Sequence, residues 1–528
     1  MQDPAFNKYL IALAQANIPE LNHTVLEPIS VVTMVPDDQA LLNRRIDSRQ
    51  PAQQAYERQL QSGDSLILDF GEHVVGYPEF DFSVASGTMD APLRIQLVFG
   101  ETEGEVSTPF DPYTGKLCRS WLQDEVINID VLPHTLKLTR RYAFRFVKVE
   151  IIAMSKWFKL CIGAVRCDAV TSAGENKRPL SKNASPLLAA MDDVAIRTLR
   201  NCMQTVVEDG PKRDRRLWIG DFYLGVLTSY ITCQNLQLAR RCLYLFAGLT
   251  HDDGSLPACV YETPEPATAP EFILDYALFY TSCLSDYYRF SHDKETVTEL
   301  LPTAVKQFDF VLMHMDDQGL FRDPEKYWIF IDWAKDLHKE TALNGVFIRT
   351  AKQLIALSAV IGQPELCGGL PDAVSKTCEA AKQHLFDADK GLFVSGPKRQ
   401  ISFASQIWMI LAGVTTTEES RVILENILKT DDCIAPASPI LYYFFIEALL
   451  MSGMRDEALK QMEIYWGGML KLGATTFWET FTAADPLFDG ATSNPLMTSR
   501  CHIWGCTPAY FIREYGLAET GKNEGALS

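Results

Sequence analysis

The sequence has no glycine-rich phosphate loop. Neither GxGxxG nor GxxxxGK followed by Ser or Thr occurs between a strand pattern and a helix pattern, so nucleotides lose their usual cradle. HExxH and GxSxG are also missing, which leaves zinc-protease and hydrolase-elbow chemistry without support. The 13 cysteines are odd in number and include no CxxC pair of zinc-finger spacing, so they read as reduced thiols of a cytosolic protein rather than disulfides or a metal site. Long hydrophobic runs are lacking too. The most apolar stretch, residues 434–451, is interrupted by Pro436, Pro439 and Glu447, and no transmembrane helix is expected. Positive charge is in deficit: 49 Lys+Arg against 67 Asp+Glu give a formal net charge of −18, which argues against nucleic acid or an anionic membrane as partner and favours a neutral or cationic ligand. Near the N-terminus there is one cation, Lys8, beside Asp3. The apolar run 9–14 is short for a signal peptide, although Ala12, Ala14 and Ala16 mimic a cleavage site, and a cytoplasmic location is expected.

What is present is an ordinary globular composition, 47% hydrophobic and 22% charged, over 528 residues. That length accommodates two or three domains, or one large helical domain with an accessory. From about residue 64 to 173 the hydrophobic pattern has a period of two, broken by Gly, Pro, Asp and Asn, and predicts roughly seven strands of an antiparallel β-sandwich. Residues 1–63 carry no decisive pattern and leave room for an edge strand and a short helix. The polar stretch 172–186 marks a boundary. Beyond it the period becomes 3.6 and predicts twelve helices. Paired helices in one long domain suggest an α-solenoid or a closed toroid of six hairpins, the (α/α)6 barrel, and the absence of a fixed repeat disfavours the solenoid. The expected organisation is an accessory β-sandwich over 1–180 followed by an (α/α)6 barrel over 185–528, with the loops at one mouth of the barrel building a site.

Four segments carry chemistry. Residues 207–221 place four carboxylates (Glu208, Asp209, Asp214, Asp221) and four cations (Lys212, Arg213, Arg215, Arg216) in a turn-like loop with Trp218. A solvated loop would explain the charges, but it has no need of Trp218 or of the Gly210–Pro211 turn. In residues 473–481 Glu479 stands between Trp478 and Phe481, a setting that desolvates a carboxylate as an acid/base residue requires; a rim glutamate paired with an arginine is the alternative. Residues 327–333 set Asp332 among four aromatics whose simplest reading is core packing, leaving the carboxylate in need of a partner. In residues 499–505 His502 precedes a helix, with Cys501 beside it and Trp504 after it; such a histidine is more often structural than functional. Acid next to tryptophan recurs. Rings that stack and carboxylates that hydrogen-bond suit uncharged polyols, and two opposed carboxylates suit glycoside hydrolysis.

Taken together, Asp209 to Asp221, the GATTFWE of residues 473–479, the Asp332–Trp333 pair and the later His502 resemble the catalytic domain of α-L-rhamnosidases, glycoside hydrolase family 78, over about residues 64–514. The resemblance implies an inverting exo-hydrolase with an (α/α)6 barrel, acting on rhamnose-containing oligosaccharides or glycosides without cofactor or metal. It implies Asp214 as general acid, Glu479 as general base, and a rhamnose pocket lined by Asp209, Trp218, Asp221, Asp332, Trp333 and His502. Arg213, Trp478 and Trp504 join the expected binding set, the tryptophans as an apolar wall for the methyl group of a 6-deoxy sugar. Two features depart from the family. The acid is usually glutamate, and the shorter Asp214 leaves Asp221 as a rival. A β-sandwich usually follows the barrel, whereas about a dozen residues follow the last predicted helix, so no calcium-dependent module is implied. Cations flanking Asp214 would depress its pKa while Glu208, Asp209 and Asp221 would raise it. A related exo-glycosidase for another sugar and an inactive sugar-binding toroid are the alternatives. A homodimer is compatible with a free sandwich face. Asp214, Asp332, Glu479 and His502 are expected to meet at one mouth of the barrel.

Overall fold

The computed structural model describes residues 4–518 except 181–183, 324, 489, 491 and 493, so part of the expected linker and of the C-terminal extension lies outside the described residues. Nine strands form one antiparallel sheet: β1 (Asn22–Leu26), β2 (Ser30–Pro36), β3 (Arg44–Pro51), β4 (Ser65–Gly87), β5 (Leu93–Gly100), β6 (Gln123–Ile129), β7 (His134–Lys137), β8 (Tyr142–Ala153) and β9 (Phe158–Thr171). The main order is β1-β9-β4-β8-β5-β6. At 23 residues, β4 is long enough to serve two neighbourhoods: its first half pairs with β2 and β8, its second with β7 and β9, and the register shifts between Asp69 and Val74. A bulge there bends the strand. Leu66, Leu97 and Val149 of one half therefore share an apolar core with Phe80, Leu160 and Ile162 of the other.

The first 63 residues hold more than an edge strand and a short helix. They supply β1, the β2–β3 hairpin and helix α1 (Pro4–Ala16), which packs on the helical layer rather than on the sheet. Leu10 and Ala14 are buried there, and Arg241 donates to the carbonyl of Ala14 at 2.8 Å. Two one-turn helices, α2 (Gln53–Tyr56) and α3 (Glu103–Ser107), decorate the sheet.

Twelve further helices follow: α4 (Pro186–Cys202), α5 (Ile219–Ile231), α6 (Leu236–Gly248), α7 (Leu274–Ser291), α8 (Lys294–Leu312), α9 (Glu340–Ile361), α10 (Leu370–Ala380), α11 (Phe403–Leu411), α12 (Thr417–Ile427), α13 (Pro439–Met451), α14 (Arg455–Lys471) and α15 (Pro508–Glu514). Helix α5 packs on α7, α7 on α9, α9 on α11 and α11 on α13, while α15 returns to α5. The burial of α13 explains the apolar stretch seen in the sequence. A helix that is apolar on all sides belongs inside, and its one charge, Glu447, is met by Arg349 of α9 through two 2.9 Å hydrogen bonds. Outer helices such as α12 are amphipathic, and Thr416 and Glu419 close a capping box at its start. Among the described residues no helix is long and apolar enough to cross a membrane.

Candidate active site

A pocket of about 230 Å³ opens where the loops 203–218, 313–339 and 472–502 meet the first turns of α5 and α7. Asp209, Arg213, Asp214, Trp218, Asp221, Trp333, Glu479, His502 and Trp504 line it, although they lie on segments nearly 300 residues apart.

The loop after α4 is shaped by Asp209. Its buried carboxylate accepts the backbone N–H of Asp214 at 2.9 Å and of Arg216 at 3.1 Å, which folds residues 210–216 back on themselves. Gly210 is needed at this fold: a Cβ there would stand 2.5 Å from both the carbonyl of Arg213 and the hydroxyl of Ser499. Burial, then the field of Asp214, pushes the Asp209 carboxyl up to about 8.

Arg213 lies between the two candidate catalytic carboxylates. Its Nη2 donates to Oε2 of Glu479, its Nη1 is 3.9 Å from Oδ1 of Asp214, and its Nε is fixed by the carbonyl of Met497 at 2.9 Å. Glu479 also accepts the Ser499 N–H at 3.4 Å, again on Oε2. The Asp214 side chain keeps 20% of its surface exposed, whereas those of Glu479 and Asp221 keep 5% and 4%. Asp221, in the first turn of α5, is ion-paired to Nε2 of His502 at 3.0 Å. Burial raises the Asp221 pKa against the pull of His502. Burial alone would lower that of His502, but Asp221 and then Glu479 more than reverse it, so the imidazole holds its proton more tightly than usual.

An aromatic wall completes the pocket. Phe330 stacks on Trp504 with centroids 6.0 Å apart and meets Trp333 edge-on at 4.9 Å, and Trp504 donates its indole N–H to the Glu479 carbonyl at 3.0 Å. Two expected binding residues do not line this pocket. Asp332 lies buried behind the wall, where its carboxylate accepts the Ala437 N–H at 2.8 Å and the Ser438 hydroxyl, tying loop 327–333 to the start of α13; burial pushes its carboxyl up to about 6. Trp478 turns to the sheet side, under the guanidinium of Arg500 at 4.4 Å. Conversely, Leu117, Ile273, Tyr276, Trp328 and Phe330 line the pocket without having been singled out as ligands. The aromatic cluster 327–333 signalled Trp328 and Phe330, which sequence reasoning assigned to core packing; nothing local signals Leu117, which arrives from the β5–β6 loop of the sheet domain. Among the described residues no group of three or more His, Cys, Asp and Glu is arranged to hold a metal ion.

Comparison with known proteins matches residues 28–169 to the glycosyl hydrolase family 78 alpha-rhamnosidase N-terminal domain and residues 182–515 to the bacterial alpha-L-rhamnosidase 6 hairpin glycosidase domain. The chain belongs to the family 78 α-L-rhamnosidases. Like other members of family 78, it is a glycoside hydrolase. A rhamnosidase from Klebsiella oxytoca, solved with rhamnose bound, is 43% identical over 96% of this chain and 99% of that one, with a TM-score of 0.93. A family 78 rhamnosidase from a Bacillus species shares the fold at 20% identity, 90% and 50% coverage and a TM-score of 0.72. A Streptomyces avermitilis α-L-rhamnosidase complexed with L-rhamnose does so at 15% identity, 94% and 44% coverage and a TM-score of 0.66. No curated protein sequence matches the chain.

Proposed function

We propose that this family 78 enzyme is an inverting exo-hydrolase that releases terminal α-L-rhamnose, with Asp214 as general acid and Glu479 as general base. The observation that carries the reading is the pairing of these two carboxylates in one small pocket under different constraints. Asp214 is the more exposed, as a residue that meets a departing group at the pocket's open side should be. Glu479 is buried and clamped on Oε2 by Arg213 and Ser499, so among the described residues Oε1 is the oxygen left to accept a proton from water. A pocket of about 230 Å³ suits one terminal ring rather than the interior of a chain. Phe330, Trp333 and Trp504 offer an apolar face for the C6 methyl group. Among the described residues Trp333 Nε1 and His502 Nδ1 are buried without hydrogen-bond partners, and both belong to residues lining the pocket, where sugar hydroxyls would satisfy them. The helices α4 to α15 are read as a closed (α/α)6 barrel and the folded sheet as a β-sandwich packed on its side.

Hydrolysis of p-nitrophenyl α-L-rhamnoside, set against the matching α-L-fucoside, α-D-mannoside and β-D-glucoside, tests the substrate. Turnover confined to the rhamnoside is expected; preference for another sugar, or no turnover at all, would reject the assignment.

A further inference from the structure

Glu101 follows β5 in the sheet domain, lies outside the pocket and is buried, yet its carboxylate meets three separate segments. Oε1 pairs with Nε2 of His73 on β4 at 3.0 Å. Oε2 accepts the backbone N–H of Arg500 at 2.7 Å and is 2.8 Å from Nζ of Lys212. Asn201 of α4 donates its amide to Nδ1 of His73 at 2.9 Å, so that nitrogen is the acceptor and Nε2 carries the proton directed at Glu101. Burial alone would raise the Glu101 carboxyl, but Lys212 and His73 hold it down at about 2, an anion at any working pH. Glu105 of α3 stands 3.4 Å from the same Nζ and is pushed up to about 7 by burial and by Glu101, against the pull of Lys212.

On its other side Lys212 donates to the carbonyls of Thr498 at 2.9 Å and Leu496 at 3.4 Å. The next residue, Arg213, takes the carbonyl of Met497 between them and reaches Glu479, and the residue after that is Asp214. Two consecutive cations therefore clamp residues 496–498, and the anchor for the first is a carboxylate of the sheet domain.

We propose that Glu101 and Lys212 are positioning residues for the acid/base pair, through which the sheet domain sets where Asp214 and Arg213 stand relative to Glu479. The proposal rests on the reading of Asp214 as acid and Glu479 as base. Neither Glu101 nor Lys212 lines the pocket, so their effect is on geometry. A displacement of about 1 Å in a reacting group costs up to about 100-fold in rate. Acid catalysis should suffer most, because Asp214 follows the clamp by one residue and its side chain keeps 20% of its surface exposed.

The test compares Glu101→Gln, Lys212→Met and Lys212→Arg with the parent enzyme on p-nitrophenyl α-L-rhamnoside and on methyl α-L-rhamnoside, whose leaving group needs a proton. Glu101→Gln keeps the side-chain size and an acceptor for Arg500, and each rate is normalised to folded protein. The expected result is a kcat loss on the methyl glycoside at least about tenfold greater than on the aryl glycoside. Inhibition by rhamnose should change by less than about threefold, and Lys212→Arg should recover most of what Lys212→Met loses. Losses equal on both substrates and tracking the fall in melting temperature would show a merely structural role and overturn the proposal. Asp214→Asn run in parallel separates the two failures. If it is leaving-group sensitive and Glu101→Gln is not, the positioning claim alone falls; if Asp214→Asn is insensitive, the acid assignment falls and the proposal with it.

Discussion

Asp221 is engaged by His502 at 3.0 Å while Asp214 keeps an open edge, and that difference separates the two candidate acids. Asp214→Asn should lower kcat by about 10²–10⁴ on glycosides with poor leaving groups and much less on an activated aryl rhamnoside. Glu479→Gln should depress both alike, since no water is activated whatever departs. Asp221→Asn should lower kcat/KM on both without leaving-group dependence; sensitivity in that variant and none in Asp214→Asn would move the acid seven residues along the loop. His502 adds a pH signature. Its folded pKa is raised above the ordinary value near 6.5, so the stability it contributes is fully present below that value and is lost as pH rises through the folded one. His502→Gln should therefore lower the melting temperature by several degrees at pH 6 and by progressively less toward pH 9; a constant difference across melts over that range would contradict the ion pair. At this scale the sequence disclosed residue types but not their directions. Asp332 and Trp478 stand beside lining residues in the chain, yet one is consumed by Ala437 and Ser438 just before α13 and the other by Arg500.

Helices were the most legible elements because a period of 3.6 and capping residues such as Ser185, Asn235, Asp293 and Thr416 fix them locally. The twelve helices expected beyond the polar stretch appear as α4 to α15. The sheet was less legible. One strand serving two sets of partners depends on long-range pairing that no local pattern encodes. Helix α13 offers a test of inner-helix packing. Glu447→Leu strands Arg349 in the core and should cost about 3–5 kcal/mol, whereas the double variant Arg349→Met/Glu447→Leu should recover most of that loss. Urea melts of the parent and the two variants measure this, and a double variant no more stable than Glu447→Leu would contradict the coupling.

The whole molecule joins its two parts through charge at the loops that build the pocket. Arg141, just before β8, pairs with Glu208, Arg197 of α4 with Glu72 of β4, and Lys212 with Glu101. Leu117 carries the sheet domain into the pocket itself. None of this was legible in the sequence, where the first 180 residues read as an accessory; the motifs flanking Asp214 and Glu479 were legible because their chemistry is concentrated in short segments. As catalysts of inversion these two carboxylates would act from opposite faces of one rhamnosyl ring. A proton NMR time course of p-nitrophenyl α-L-rhamnoside hydrolysis tests this most directly. β-L-rhamnose is expected as the first-formed sugar, with the α-anomer growing in only at the rate of mutarotation; α-L-rhamnose as the initial product would rule out inversion.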